Sequence, residues 1–276
     1  MNLSCCVWAM NFGKRGLMRF LRKRLNKVVA ETSMLECMGE LGFQHVDIQP
    51  NMQRSEASCS TLTEHQLKVA CMSLSFFAPD KGTLHSKDPA AVNPLMDYLK
   101  AGIDHTAHLG IDRAYVVPGK ANDVISLTDI APHYAELAEY SAKKGVKIGI
   151  EHFPETALPT VKSTLEFIEQ VNHPNLYLLF DIGHAQISNE DPADLLPDAG
   201  DRLLYVHLDD NDGKEDLHLS LTEGVQTRKD LESLFTVLEN MNYSGPVSLE
   251  LHPMLPDPFQ ALKESKQIVE ELYDFS

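Results

Sequence analysis

The stretch LYLLFDIGHA, residues 176–185, decides the fold. Its apolar run closes on Asp181, and His184 follows three positions later. A short buried strand that ends on a carboxylate, with an imidazole just beyond, is how an α/β barrel presents a metal site at its mouth. Three other strand-like runs end in the same manner: KIGIE on Glu151, LLYVH on His207 and PVSLE on Glu250. Singly, each residue has an ordinary explanation, such as a helix cap or an ion-pair partner. Four polar endings in successive strands are not explained that way.

Working outward, the apolar runs predict eight strands: 3–10, 45–50, 67–76, 112–119, 146–153, 176–180, 203–210 and 245–253. Between them, helical spacing predicts helices over 17–41, 90–109, 126–144, 160–171, 191–199, 228–241 and 258–273, with 51–65 a loop or short helix. In the first of these, Leu17, Phe20, Leu21, Leu25, Val28 and Val29 recur at helical spacing. Alternation of strand and helix implies a parallel sheet. Eight such units close into a (β/α)8 TIM barrel, which typically takes ~250 residues as one domain. The whole chain, 1–276, is therefore expected to be a single barrel.

The net charge of −16 argues against a nucleic-acid partner, which requires a basic surface. The charge is uneven. Residues 1–30 hold seven Lys or Arg and no acid, leaving 17 cations against all 40 acids in the remainder. This basic segment reads as the solvated face of the first helix. A transit peptide is set aside because residues 3–10 are needed as the first strand. A secretory signal fails because the apolar stretch is short and precedes the basic region. No apolar run approaches the ~20 residues of a membrane span. Five cysteines without a CxxC pair suit reduced thiols in a cytoplasmic protein.

Active residues of such barrels sit where strands finish. Glu151, Asp181, His207 and Glu250 are expected on one arc, at the ends of strands five to eight. Three carboxylates and an imidazole gathered there would repel unless a cation neutralised them. Oxygens and one nitrogen, without a thiolate, suit Mn²⁺ first, then Mg²⁺, Co²⁺ or Zn²⁺. Trp8 and Phe76, near the ends of strands one and three, are candidates for an apolar wall against a substrate. The absence of a Gly-rich phosphate cradle after strands seven and eight favours an unphosphorylated sugar or a small hydroxy-keto acid.

The segments GIEHFP, FDIGHA, VHLDD and SLELHP, with SCCVWA and GFQHVDIQP, together resemble the sugar isomerase/epimerase superfamily of xylose isomerase-like barrels, which includes ketose 3-epimerases and hydroxypyruvate isomerases. The resemblance implies that Glu151, Asp181, His207 and Glu250 are metal ligands and that Glu151 and Glu250 are the two catalytic bases. It implies that His184 and His218 contact substrate or support the site. It also implies a small sugar or hydroxy-keto substrate and a homo-oligomer. A polyol or sugar-acid dehydratase on the same barrel is the alternative. A DNA-repair endonuclease of the same superfamily shares the pair Asp216 and His218, but histidines are missing from SLSF and VVPG, where a three-metal cluster needs them. A barrel that binds sugar without turnover is disfavoured by the intact glutamates.

Overall fold

The structure is a computed structural model that describes residues 1–13, 27–80, 82–120 and 126–275. Eight strands form one all-parallel sheet: β1 (Asn2–Cys5), β2 (His45–Ile48), β3 (Lys68–Ser73), β4 (Arg113–Val116), β5 (Lys147–Glu151), β6 (Leu176–Asp181), β7 (Leu203–Leu208) and β8 (Pro246–Leu249). From β2 to β8 each strand pairs with the next in sequence, and β1 pairs with β8. A single parallel bridge, Cys6 to Asp47, joins β1 to β2 and completes the ring. The fold is the predicted (β/α)8 barrel.

The helices are α1 (Glu31–Glu40), α2 (Glu56–Glu64), α3 (Pro89–His108), α4 (Leu127–Lys143), α5 (Val161–Val171), α6 (Ile182–Ile187), α7 (Pro192–Ala199), α8 (Arg228–Asn240) and α9 (Pro258–Leu272). Local chemistry sets several of their starts. In α5 the Thr160 side chain accepts from Ser163 N–H, and the Ser163 hydroxyl lies 3.1 Å from the Thr160 N–H it accepts. Thr227 and Asp230 form the same reciprocal pair at α8. Such boxes satisfy backbone donors that the first helical turn leaves unpaired. Among the described residues, no helix is long and apolar enough to cross a membrane.

Two expectations change. The first strand stops at Cys5, and Val7–Met10 is a buried 3-10 turn. Ala9 N–H donates to Cys6 O at 3.2 Å, and Asn11 N–H to Trp8 O at 3.0 Å. The run LSCCVWAM stays apolar through the bend because both halves are buried, so hydrophobicity alone could not mark it. Of the expected helix over 17–41, the described part has residues 27–30 irregular and a helix from Glu31 to Glu40. Most of its basic part, residues 14–26, lies outside the described residues.

The large apolar cluster fills the layer between sheet and helices. A second cluster lies inside the ring and includes Cys71, Tyr115, Leu179 and Tyr205. Beside it sits a fully buried carboxylate, Asp47. It accepts from Ser4 Oγ at 2.9 Å and from the hydroxyls of Tyr205 and Ser248, and the Cys6 thiol approaches at 3.5 Å. Burial pushes the Asp47 carboxyl up, while His207 and these donors restrain the rise. This polar plug is the floor on which the strand-end residues stand.

Candidate metal centre

Strand alternation decides which side chains enter the mouth. Tyr205 and His207 lie two apart on β7, as do Ser248 and Glu250 at β8, so each pair shares a side. The lower member of each pair donates to Asp47, and the upper member projects above it. Glu151 and Asp181 are the last residues of β5 and β6, and Glu250 follows β8 directly.

The four residues meet. One ligand atom from each of Glu151, Asp181, His207 and Glu250 lies within 4.8 Å of the others. His207 Nδ1 is 2.6 Å from Glu250 Oε2, 3.4 Å from Glu151 Oε1 and 3.6 Å from Asp181 Oδ2. All are buried, with Glu250 the most open at 9 %. Yet His207 Nδ1 and Asp181 Oδ2 make no aligned hydrogen bond. Buried polar atoms are rarely left so. Lone pairs that converge on one point without donating to each other fit a shared cation, and oxygen with imidazole fits a borderline or hard divalent ion.

Asp181 does two things. Its Oδ1 accepts from His184 N–H at 3.0 Å and caps α6, while Oδ2 faces the other ligands. The ordinary reading of a strand-end acid and the metal reading therefore hold together in one side chain. His184 Nδ1 lies 2.9 Å from His152 O, and its Nε2 lies 3.5 Å from Asp216 Oδ1. Asp216 Oδ1 also lies 3.2 Å from His218 Nε2, and His218 Nδ1 lies 2.6 Å from Asp209 Oδ2. The structure thus draws His184 and His218 into a second acidic cluster beside the first.

The electrostatics agree. Burial raises the Glu151 carboxyl against the pull of His207. For Glu250 burial also raises, but His207 outweighs it and the carboxyl is held low. Burial opposes the charge on His184, yet Asp181 and Asp216 push it up to about 10. Burial, reinforced by Asp181, pushes Asp209 up to about 7. This is a cavity with surplus negative charge, which calls for positive charge from some source.

Asp209 is the residue that sequence reading missed. It is fully buried two positions beyond His207 and inside the expected strand 203–210, so strand alternation is the signal that points to it. It sits tightly against Gly183, where a Cβ would lie 2.1 Å from Asp209 Oδ1. Gly183→Ala is expected to destabilise the fold by roughly 1–3 kcal/mol, the usual cost of overpacking. Urea unfolding checks this, and an unchanged midpoint would show that Asp209 is free to move aside.

Phe76 lines a cavity of about 360 Å³ above the four residues, with Ser73, Tyr115, Val117, Phe153 and His218 among its other walls. Trp8 lies behind this wall. Its ring packs 5.0 Å from that of Phe76, and its indole N–H donates to Glu250 Oε1 at 2.9 Å.

Comparison with known proteins narrows the family. The chain is 26 % identical to a ketose 3-epimerase of Arthrobacter globiformis over 227 residues, 76 % of this chain and 74 % of that one. It is 32 % identical to an inosose dehydratase of Glaesserella parasuis over 163 residues, 51 % of this chain and 54 % of that one. The chain spans about half the length of several curated relatives it matches, 48 % and 58 % in two of them. The crystal structure of a D-allulose 3-epimerase from Methylomonas sp. in complex with D-allulose superposes with a TM-score of 0.78 at 20 % identity, covering 99 % of this chain and 97 % of that one. At that identity the superposition speaks for the fold. The profile of the xylose isomerase-like TIM barrel family matches residues 38–272, and the chain belongs to that family.

Proposed function

We propose that this protein is a divalent-metal-dependent epimerase or isomerase of a small ketose or related hydroxy-keto compound. The observation that carries the reading is the pair Glu151 and Glu250, one at each end of the β5–β8 arc and both facing the same imidazole. Glu151, Asp181, His207 and Glu250 would hold the ion, with Mn²⁺ the first choice for this donor set. Such an ion polarises a carbonyl and its neighbouring hydroxyl and so acidifies the C–H between them.

The chain's own groups then move the proton. One glutamate removes it from one face of the carbon, and the other returns a proton to the opposite face of the enediolate. The names of the ketose 3-epimerases it resembles support this use of the barrel. His218 lines the cavity, where it can hold a substrate hydroxyl, and the fully buried His184 packs behind it with ring centroids 6.1 Å apart. Phe76, Val117 and Phe153 offer an apolar face to the carbon chain. No Lys or Arg is among the cavity's described walls, which favours an uncharged substrate over a phosphate ester.

A dehydratase is the second reading. It is favoured by the likeness to inosose dehydratases and by the His218–Asp209 contact, an imidazole held where a leaving hydroxyl could receive a proton. Solvent deuterium exchange into a panel of ketoses and inososes, with Mn²⁺ supplied, separates the readings. Epimerisation with deuterium at the carbon beside the carbonyl is expected. Loss of water would select the dehydratase, and no exchange across the panel would overturn both.

A further inference from the structure

The two glutamates are not held alike. Oε1 of Glu250 accepts from the Trp8 indole at 2.9 Å, while Oε2 faces His207 Nδ1. Glu151 has imidazole neighbours, His207 Nδ1 at 3.4 Å and His184 Nδ1 at 3.9 Å, and no counterpart to the indole among the described residues. The difference traces to the start of the chain. Because the first strand ends at Cys5 and the 3-10 turn follows, Trp8 reaches the end of the adjoining strand β8, at a residue 242 positions away in sequence. The indole is 5 % exposed and wedged against Phe76, so it has little freedom to release its acceptor.

We propose that Trp8 is a positioning residue for Glu250, fixing Oε1 so that Oε2 alone is presented to the ion and the substrate. Glu151, lacking such a clamp, keeps the freedom to swing between ligand and base. The two bases of the proposed reaction are therefore unequal, one stiff and one mobile. The inference rests on that reading for its role in turnover, but not for its effect on the metal site. A donor outside the ligand shell that orients a carboxylate typically governs metal affinity by ~10–100-fold.

Trp8 is the only tryptophan in the chain, so one substitution can be made without touching other sites. Biosynthetic replacement of tryptophan by an analogue with sulfur in place of the ring N–H keeps the shape and removes the donor. Titration with Mn²⁺ against a competing chelator is expected to show affinity weaker by about tenfold. Turnover should fall by about the same factor, with KM nearly unchanged. Trp8→Phe should behave alike if it folds, which thermal melting checks. Phe76→Leu removes the neighbouring ring but leaves the indole N–H, and should raise KM while leaving Mn²⁺ affinity unaltered. Unaltered Mn²⁺ affinity in the sulfur analogue would overturn the proposal. A wild-type protein that turns over no ketose would instead overturn the proposed function, and the metal titration would still decide the role of Trp8.

Discussion

Glu151→Gln and Glu250→Gln are each expected to cut turnover by roughly two to four orders of magnitude, the range over which a positioned acid–base group acts. The amide nearly matches the carboxylate in shape, so the barrel should remain intact. What it loses is the capacity to take a proton at the reacting carbon. It also loses one unit of negative charge beside His207, which lies 2.6 Å from one carboxylate and 3.4 Å from the other. Assays must therefore be run at saturating metal, with metal content measured in parallel, so that a vacant site is not mistaken for a missing base. Activity above about a tenth of wild type in either metal-loaded variant would contradict the two-base scheme, because such a scheme needs both groups. Unequal losses fit the unequal tethering of the two side chains.

Stripping the ion with a chelator should lower the melting temperature on the order of 10 °C. A ligand that binds only the folded state at a thousandfold its Kd adds ~4 kcal/mol. For a chain of this size each kcal/mol moves the midpoint by about 2–4 °C. The physical source is the crowding of Glu151, Asp181 and Glu250, which with His207 place their ligand atoms within 4.8 Å. His207→Ala should lose most of its metal and most of the chelator effect, because it removes the only imidazole of the set. A wild-type midpoint indifferent to chelator, or unchanged metal content in His207→Ala, would remove these residues from the ligand list.

Much of the barrel was legible because each strand is an apolar run and each polar ending breaks it at the same structural level. Asp181 and Glu151 end their strands where the runs end, and no tertiary detail was needed to place them. Other features left weaker traces. The turn at Val7–Met10 has no Gly, Pro or polar residue to betray it, so the path of Trp8 towards Glu250 was hidden. Helix α6 is only six residues long and contains Gly183, too short for helical periodicity to emerge. Asp209 was hidden by its neighbour: both acids are buried, but Asp210 accepts from the Gly224 and Gln226 N–H groups, whereas Asp209 faces His218. Side-chain pairing across the mouth depends on loops far apart in sequence, and one chain's residue pattern carries little of that.

The one backbone bridge between Cys6 and Asp47 makes the ring asymmetric: it has a seam. Breathing of the wall, seen as amide hydrogen exchange, should begin along β1 and β2, where main-chain pairing is thinnest. The polar knot around Asp47 stitches this seam from within, borrowing Ser4 from one side and Tyr205 and Ser248 from the other strands. Loosening the knot would therefore be felt first as faster exchange at the seam, and only afterwards at the mouth.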